Sequence, residues 1–339
     1  MYVRLLVEFS RKQGIESALA MPAVGFESPE FGIHLGDIAT EFTHVPIAAR
    51  LSAHEIKRSL AQTAATRLIL VDGDSSLMTA TRLRSDGTGH SAVLLVMRDP
   101  RVHPHPLSGS HRVRQVAKRA IAELVHATGR ADVVYLRSSV GNGRDHRTVA
   151  DPVAIRASAN GQRVLRQEWN LKPEVRWVSV LGSITARKNV ALVAEAIQLT
   201  GDRACGLLVA GKLDEVIVPQ IHRAAEMLRA QGYETRVVPR LLTAEELDNA
   251  IATSDVCVLA HSNEGPSGLM GKAVALGTRV LASGAQSLRH DADGQAGVLW
   301  VPLRADEIAS GLTKSLAMPR PTAQPSDTTE PFCRRLVHG

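Results

Sequence analysis

From Val175 onward, short apolar runs alternate with longer stretches in which apolar residues recur every three or four positions. The runs at 176–181, 205–210, 236–239, 255–260, 280–282 and 298–301 read as strands. Between them, Val190, Leu192, Val193, Ala196 and Ile197 fall on one helical face, as do Leu247, Ile251 and Ala252. Thr243-Ala244-Glu245-Glu246 ahead of the second group has the form of a capping box. Repeated βα units predict a doubly wound parallel sheet for the C-terminal half. The first half is less regular. Runs at 66–71, 91–97 and 131–136 read as buried parallel strands, separated by helical stretches around 51–64, 75–83 and 111–127, which suggests a second α/β domain. Residues 138–162, rich in Gly, Asn, Arg and Asp, have no clear period and form the expected linker. The expected division is an N-terminal domain at 1–150, a C-terminal domain at 151–317 and a tail at 318–339. Residues 318–331 of that tail read as extended, and 331–339 as packing back onto the body.

A length of 339 residues agrees with two domains, since one core rarely grows that large. Aromatic residues make up only 3%, so aliphatic side chains fill the cores and a base-stacking platform is not expected. No stretch approaches 18 apolar residues, and the N-terminus lacks the pattern of a secretory leader, so a cytoplasmic protein is expected. Cys205, Cys257 and Cys333 are scattered and read as buried thiols in a reducing compartment. The formal charge is +6, and residues 1–150 hold 19 Lys and Arg against 14 Asp and Glu, so most of the excess lies there. Part of it, Arg112, Arg114, Lys118 and Arg119, lies on a helix whose Val113, Val116, Ala117, Ile121 and Leu124 read as core-facing. A solvated basic face is the simpler reading, with peripheral contact to an anionic membrane as the hypothesis beside it.

Candidate chemistry clusters where strands run into helices. In Ser262-Asn263-Glu264-Gly265-Pro266-Ser267-Gly268-Leu269-Met270, a carboxylate and two glycines join a strand to a small-residue helix. Such a turn presents backbone N–H groups and a positive helix end to an anion, which suggests a phosphate-bearing ligand. After the 176–181 strand, Gly182-Ser183-Ile184-Thr185-Ala186-Arg187-Lys188-Asn189 sets a dibasic pair at a helix start, a placement that a bridging anion favours. No phosphate loop with Gly-Lys-Ser/Thr, no His-Glu-x-x-His and no zinc-spaced Cys pair occurs, and no nucleic-acid module is recognisable.

Residues 160–315 resemble family 4 glycosyltransferases. The match is carried by Glu264 with Gly265 and Gly268, by Gly277-Thr278-Arg279-Val280, by Gly182 with Lys188 and Asn189, and by Ser254-Asp255-Val256. The resemblance implies a GT-B-type α/β fold, two Rossmann-like doubly wound domains facing a central cleft. It also implies sugar transfer from a nucleotide sugar to an acceptor hydroxyl, with retention, without metal or other cofactor, the first domain binding the acceptor. On this basis Glu264 and Lys188 are the catalytic candidates. Gly182, Arg187, Gly265, Ser267, Gly268, Leu269 and Lys272 are the donor-binding candidates. In the first domain, Gly14 resembles the family's N-terminal glycine loop, and Arg98 with Asp99 occupies the place of a His-Asp pair. Three positions depart from the family: Ser183 stands for an Arg, Arg98 for a His, and Lys272 for the second of two paired Glu that holds the nucleotide's ribose. An ammonium cannot accept hydrogen bonds from ribose hydroxyls, which leaves three readings: Lys272 neutralises a phosphate instead, the nucleotide sits differently, or donor binding is lost. These departures support a rival reading, a catalytically silent protein of the same fold that binds a partner or a glycan. A sugar-nucleotide epimerase is a third reading, without an identifiable acid–base pair.

Overall fold

Strands rich in branched aliphatic residues need cover on both faces, and helices with a single apolar stripe supply it. The computed structural model describes residues 2–48, 51–83, 90–97, 109–140, 145–265, 267–324 and 327–339. The chain divides into two units. One comprises Met1–Arg137, Asn142–Pro152 and Thr328–Gly339; the other comprises Ser138–Gly141 and Val153–Asp327.

The first unit runs through α1 (Tyr2–Lys12), β1 (Ala18–Pro22), α2 (Ala23–Phe26), α3 (Pro29–Leu35), β2 (Thr43–Ile47), α4 (Ala53–Thr63) and β3 (Arg67–Leu70). It continues with α5 (Gly73–Ala80), β4 (Ser91–Val96), α6 (Gly109–Ala127), β5 (Asp132–Arg137) and β6 (Thr148–Ala150). Strands β3, β4, β5 and β6 pair in that order, all parallel, while β1 and β2 form a separate parallel pair. Leu94, Val96, Val133 and Tyr135 meet Ile56, Leu77, Ala122 and Val125 in the core. Strands β1 and β2 escape the sequence pattern because each is short, carries a proline and is only partly buried.

Helix α6 departs from expectation. Val113, Val116 and Leu124, read as core-facing, are 68%, 69% and 52% exposed, whereas Ile121 packs against the core as expected, together with Ala122 and Val125. Among the described residues no helix is long and apolar enough to cross a membrane.

The second unit contains α7 (Ala159–Glu168), β7 (Arg176–Leu181), α8 (Val190–Thr200), β8 (Cys205–Ala210), α9 (Val218–Ala230), β9 (Glu234–Val238) and α10 (Ala244–Thr253). There follow β10 (Val256–His261), α11 (Gly268–Ala275), β11 (Arg279–Gly284), α12 (Gln286–Ala292), β12 (Val298–Val301) and α13 (Ala305–Ala317). Its six parallel strands lie in the order β12-β11-β10-β7-β8-β9. Alternate strand residues serve different cores. Val178, Val180, Leu207 and Val209 pack with α8, α9 and α13, while Trp177, Leu181, Leu208 and Cys257 pack with α10, α11 and α12. The expected capping box forms at Thr243 and Glu246. The chain builds outward from β7 to β9, then returns to the other side of β7 with β10. The crevice where the order reverses, at the carboxyl ends of β7 and β10, is where open α/β sheets take ligands.

The expected extended tail ends in a helix, α14 (Thr329–Val337), which belongs to the first unit. Its Phe332, Cys333 and Leu336 are fully buried, and the Phe332 ring lies 5.4 Å from that of Tyr2. The chain therefore changes unit four times, after residues 137, 141, 152 and 327. The expected linker also contains β6 and the start of α7.

Candidate functional site

At the end of β7 the backbone turns sharply. Gly182 has φ +88°, and Gly211, at the end of β8, has φ +141°. A Cβ on Gly211 would lie 1.8 Å from the Gly182 carbonyl oxygen, so only glycine lets these two strand ends approach. A short 3₁₀ turn, Ala186–Lys188, follows, and Asn189 in the left-handed region opens α8. The Asn189 amide donates to the carbonyls of Arg187 and Ala260, at 2.9 and 2.8 Å, and Ser262 N–H donates to the Arg187 carbonyl at 3.0 Å. The loops after β7 and β10 are thus tied together.

Lys188 is buried and its ammonium donates to the Leu181 carbonyl. Burial, then the neighbouring Arg187 charge, lowers its pKa to about 8. A Cβ on Gly182 would sit 3.5 Å from Lys188 Nζ and 3.9 Å from Leu269 Cδ1, so the structure brings these three candidates together. Arg187 and Ser183 are exposed on the same loop.

Glu264 is held by helix α12. Its two carboxylate oxygens accept from Gln286 N at 3.0 Å and Ser287 N at 2.8 Å, the positive end of that helix. The Ser287 hydroxyl accepts from Gly265 N and donates to Gly265 O, each at 3.1 Å, clamping the glycine at φ +142°. Ser267 then precedes α11 and supplies no side-chain cap, so the helix starts at Gly268 and Leu269 without a side-chain acceptor from that residue. Lys188 and the start of α11 meet at Gly182, and the anchored carboxylate of Glu264 lies on the loop between β10 and α11, groups that can receive an anion and neighbouring hydroxyls.

Sequence reasoning missed His261, the last residue of β10. Its Nε2 has no partner among the described residues, and burial, followed by the charges of Lys188 and Arg187, lowers its pKa to about 4. The ring is therefore neutral near pH 7. The one available signal was a polar residue ending an otherwise apolar strand.

Two candidates have other tasks. Lys272 is 5% exposed, and its ammonium is engaged within the protein, donating to Asp248 Oδ1 at 2.6 Å and to the Ala154 carbonyl at 2.7 Å. Gly14 precedes the first strand instead of following it. With φ +70° it ends α1, its N–H donating to Arg11 O while Ile15 N–H reaches Ser10 O. Arg98 and Asp99 lie outside the described residues, as does Pro266.

Residues 175–318 match the model of the family described as glycosyl transferases group 1. No curated protein matches the chain. Among solved structures, a sucrose-phosphate synthase from Thermosynechococcus elongatus is 15% identical with a TM-score of 0.68, covering 99% of this chain and 88% of that one. HepE from Anabaena, solved with UDP, is 12% identical with a TM-score of 0.67, covering 99% and 91%. A glycosyltransferase from Rickettsia africae is 10% identical with a TM-score of 0.63, covering 99% and 89%. At these identities the likeness establishes the fold, the α/β fold of GT-B glycosyltransferases, and leaves the reaction to the site.

Proposed function

We propose that this chain transfers a sugar from a nucleotide-activated donor to an acceptor hydroxyl, with retention of configuration and without a metal. The observation that carries this reading is the meeting of Lys188, Gly182 and Leu269 at the switch point of the second unit, inside the segment that matches glycosyl transferases group 1. HepE, which shares the fold, is seen with UDP and with UDP-glucose. Lys188 and the N–H groups at the start of α11 stabilise charge on the departing diphosphate, taking the place of a divalent cation. Glu264, anchored on α12, orients the donor and holds the Gly265 loop. The acceptor oxygen attacks the anomeric carbon on the face that the diphosphate leaves, and a phosphate oxygen takes the hydroxyl proton. The first unit binds the acceptor.

Thermal-shift and calorimetric titration against nucleoside diphosphates and sugar nucleotides, without metal, test this. At about 100 times its dissociation constant a ligand adds about 2.7 kcal/mol, a shift of several degrees. Lys188→Ala removes the shift and lowers transfer at least about tenfold, about 1.4 kcal/mol of barrier. A nucleotide that binds without any turnover favours the second reading, a silent binding protein, which Ser183 and the engaged ammonium of Lys272 support.

The exposed Val113, Val116 and Leu124 on α6, with Lys118 and Arg119 on the same helix, extend the reading to peripheral contact with an anionic membrane on its cytoplasmic face. Vesicles of phosphatidylglycerol then sediment the protein, those of phosphatidylcholine do not, and Val113→Asp with Val116→Asp abolishes binding. Equal sedimentation of the variant removes this part.

A further inference from the structure

The Lys272 ammonium connects two parts of the second unit that have no neighbouring sequence. Lys272 lies one turn inside α11, the helix whose start forms part of the candidate site. Its partner Asp248, on α10, is fully buried, and the second Asp248 oxygen accepts from Arg156 N at 2.8 Å. The next residue, Asn249, accepts from Ser158 N at 3.0 Å. Lys272 itself reaches the Ala154 carbonyl. Beside it, Gly271 is packed so closely that a Cβ would lie 2.1 Å from Ser139 Oγ and 2.9 Å from Val153 Cγ2. Ser139 and residues 153–158 belong to the two stretches, Ser138–Gly141 and the segment starting at Val153, with which the chain enters the second unit.

We propose that Lys272 is a positioning residue that fixes the first turn of α11 to both of these stretches. The proposal rests on the reading of α11 as part of the donor site and adds what sets its position. The pair has a built-in polarity. A carboxylate at 248 meets an N–H, and an ammonium at 272 meets a carbonyl, so the two charges cannot be exchanged without opposing both backbone groups. Burial strips the pair of solvent screening, so the tie holds at high salt, and neither charge is tolerated alone. The start of α11 therefore cannot shift without displacing residues 153–158.

Lys272→Met alone leaves Asp248 buried and uncompensated and is expected to unfold much of the unit. The informative variant is Lys272→Met with Asp248→Leu, which replaces the pair by apolar groups of similar size. Hydrogen exchange is measured on the full unliganded chain, and UDP affinity by calorimetry. The double variant keeps its helical circular dichroism, and its β10 and β11 amides exchange as in the wild type. Amides at 270–275 and the Ser158 amide exchange at least about tenfold faster. UDP binds at least about tenfold more weakly. Lys272→Arg retains wild-type exchange, and the exchanged pair Lys272→Asp with Asp248→Lys does not. Wild-type exchange at 270–275 in the Met/Leu variant overturns the proposal. A wild-type protein that binds no nucleoside diphosphate, while exchange changes as stated, removes the nucleotide reading and leaves the positioning role standing.

Discussion

On the proposed function, the buried charge of Lys188 bears on both stability and activity. A fall in pKa from 10.5 to about 8 means that between these values the unfolded chain holds a proton the folded one has lost. Stability from this group therefore rises with pH across that window, and at pH 7 keeping the ammonium buried costs up to about 3 kcal/mol. Lys188→Met should raise the melting temperature at pH 7 and flatten the rise in stability between about pH 8 and 10.5, while abolishing transfer. A melting temperature below that of the wild type at pH 7 would contradict this. In the wild type, kcat/KM should fall above about pH 8 as the ammonium deprotonates, and Lys188→Arg should move that limb upward. Lys188 was legible in the sequence by its place after a glycine turn. His261 was not, because its neutral state depends on burial and on cations brought in from the β7 loop.

At the scale of elements, the loop after β10 is organised by the start of α12, which lies one strand further along the chain. Glu264 gives both oxygens to α12, and Ser287 returns two bonds to Gly265. Glu264→Gln keeps an acceptor but loses the charge at the helix N-terminus, an expected loss of about 0.5–1 kcal/mol in stability. Donor affinity should fall at least about tenfold, since the loop is released with it. Urea unfolding together with calorimetry separates the two, and unchanged binding would mean that the loop needs no carboxylate. The sequence showed a carboxylate and two glycines at a strand-to-helix turn. It did not show that α12 takes the carboxylate, because that contact joins residues 22 and 23 positions apart. Helix α6 teaches the same lesson in reverse. Its apolar residues have helical spacing, yet spacing does not say which of two adjoining faces meets the sheet, and Val113 and Val116 are left outside.

At the scale of the whole chain, the last helix completes the first unit after the second has been built. Phe332 packs against Tyr2, Cys333 Sγ reaches the Leu5 carbonyl, and Thr328 Oγ1 donates to the Asp151 carbonyl. Phe332→Ala should destabilise the first unit by about 3–5 kcal/mol, the range for an emptied aromatic site. In a calorimetric scan, the transition of the first unit should move down while that of the second stays in place. A single undivided transition that shifts as a whole would show that the units unfold together.

What the chain determined by itself was its local grammar. Runs of Val, Leu and Ile between amphipathic segments can only be satisfied by parallel strands covered on both faces, and glycines at strand ends mark turns that other residues cannot make. The pairing of strands in the order β12-β11-β10-β7-β8-β9 places the ends of β7 and β10 side by side, and only that long-range order unites Lys188 with the loop at Glu264. The tertiary structure also assigned Lys272 to Asp248 and Gly14 to the end of α1. A lysine's partner and a glycine's turn depend on which groups surround them in space, and periodicity along a sequence carries no record of that.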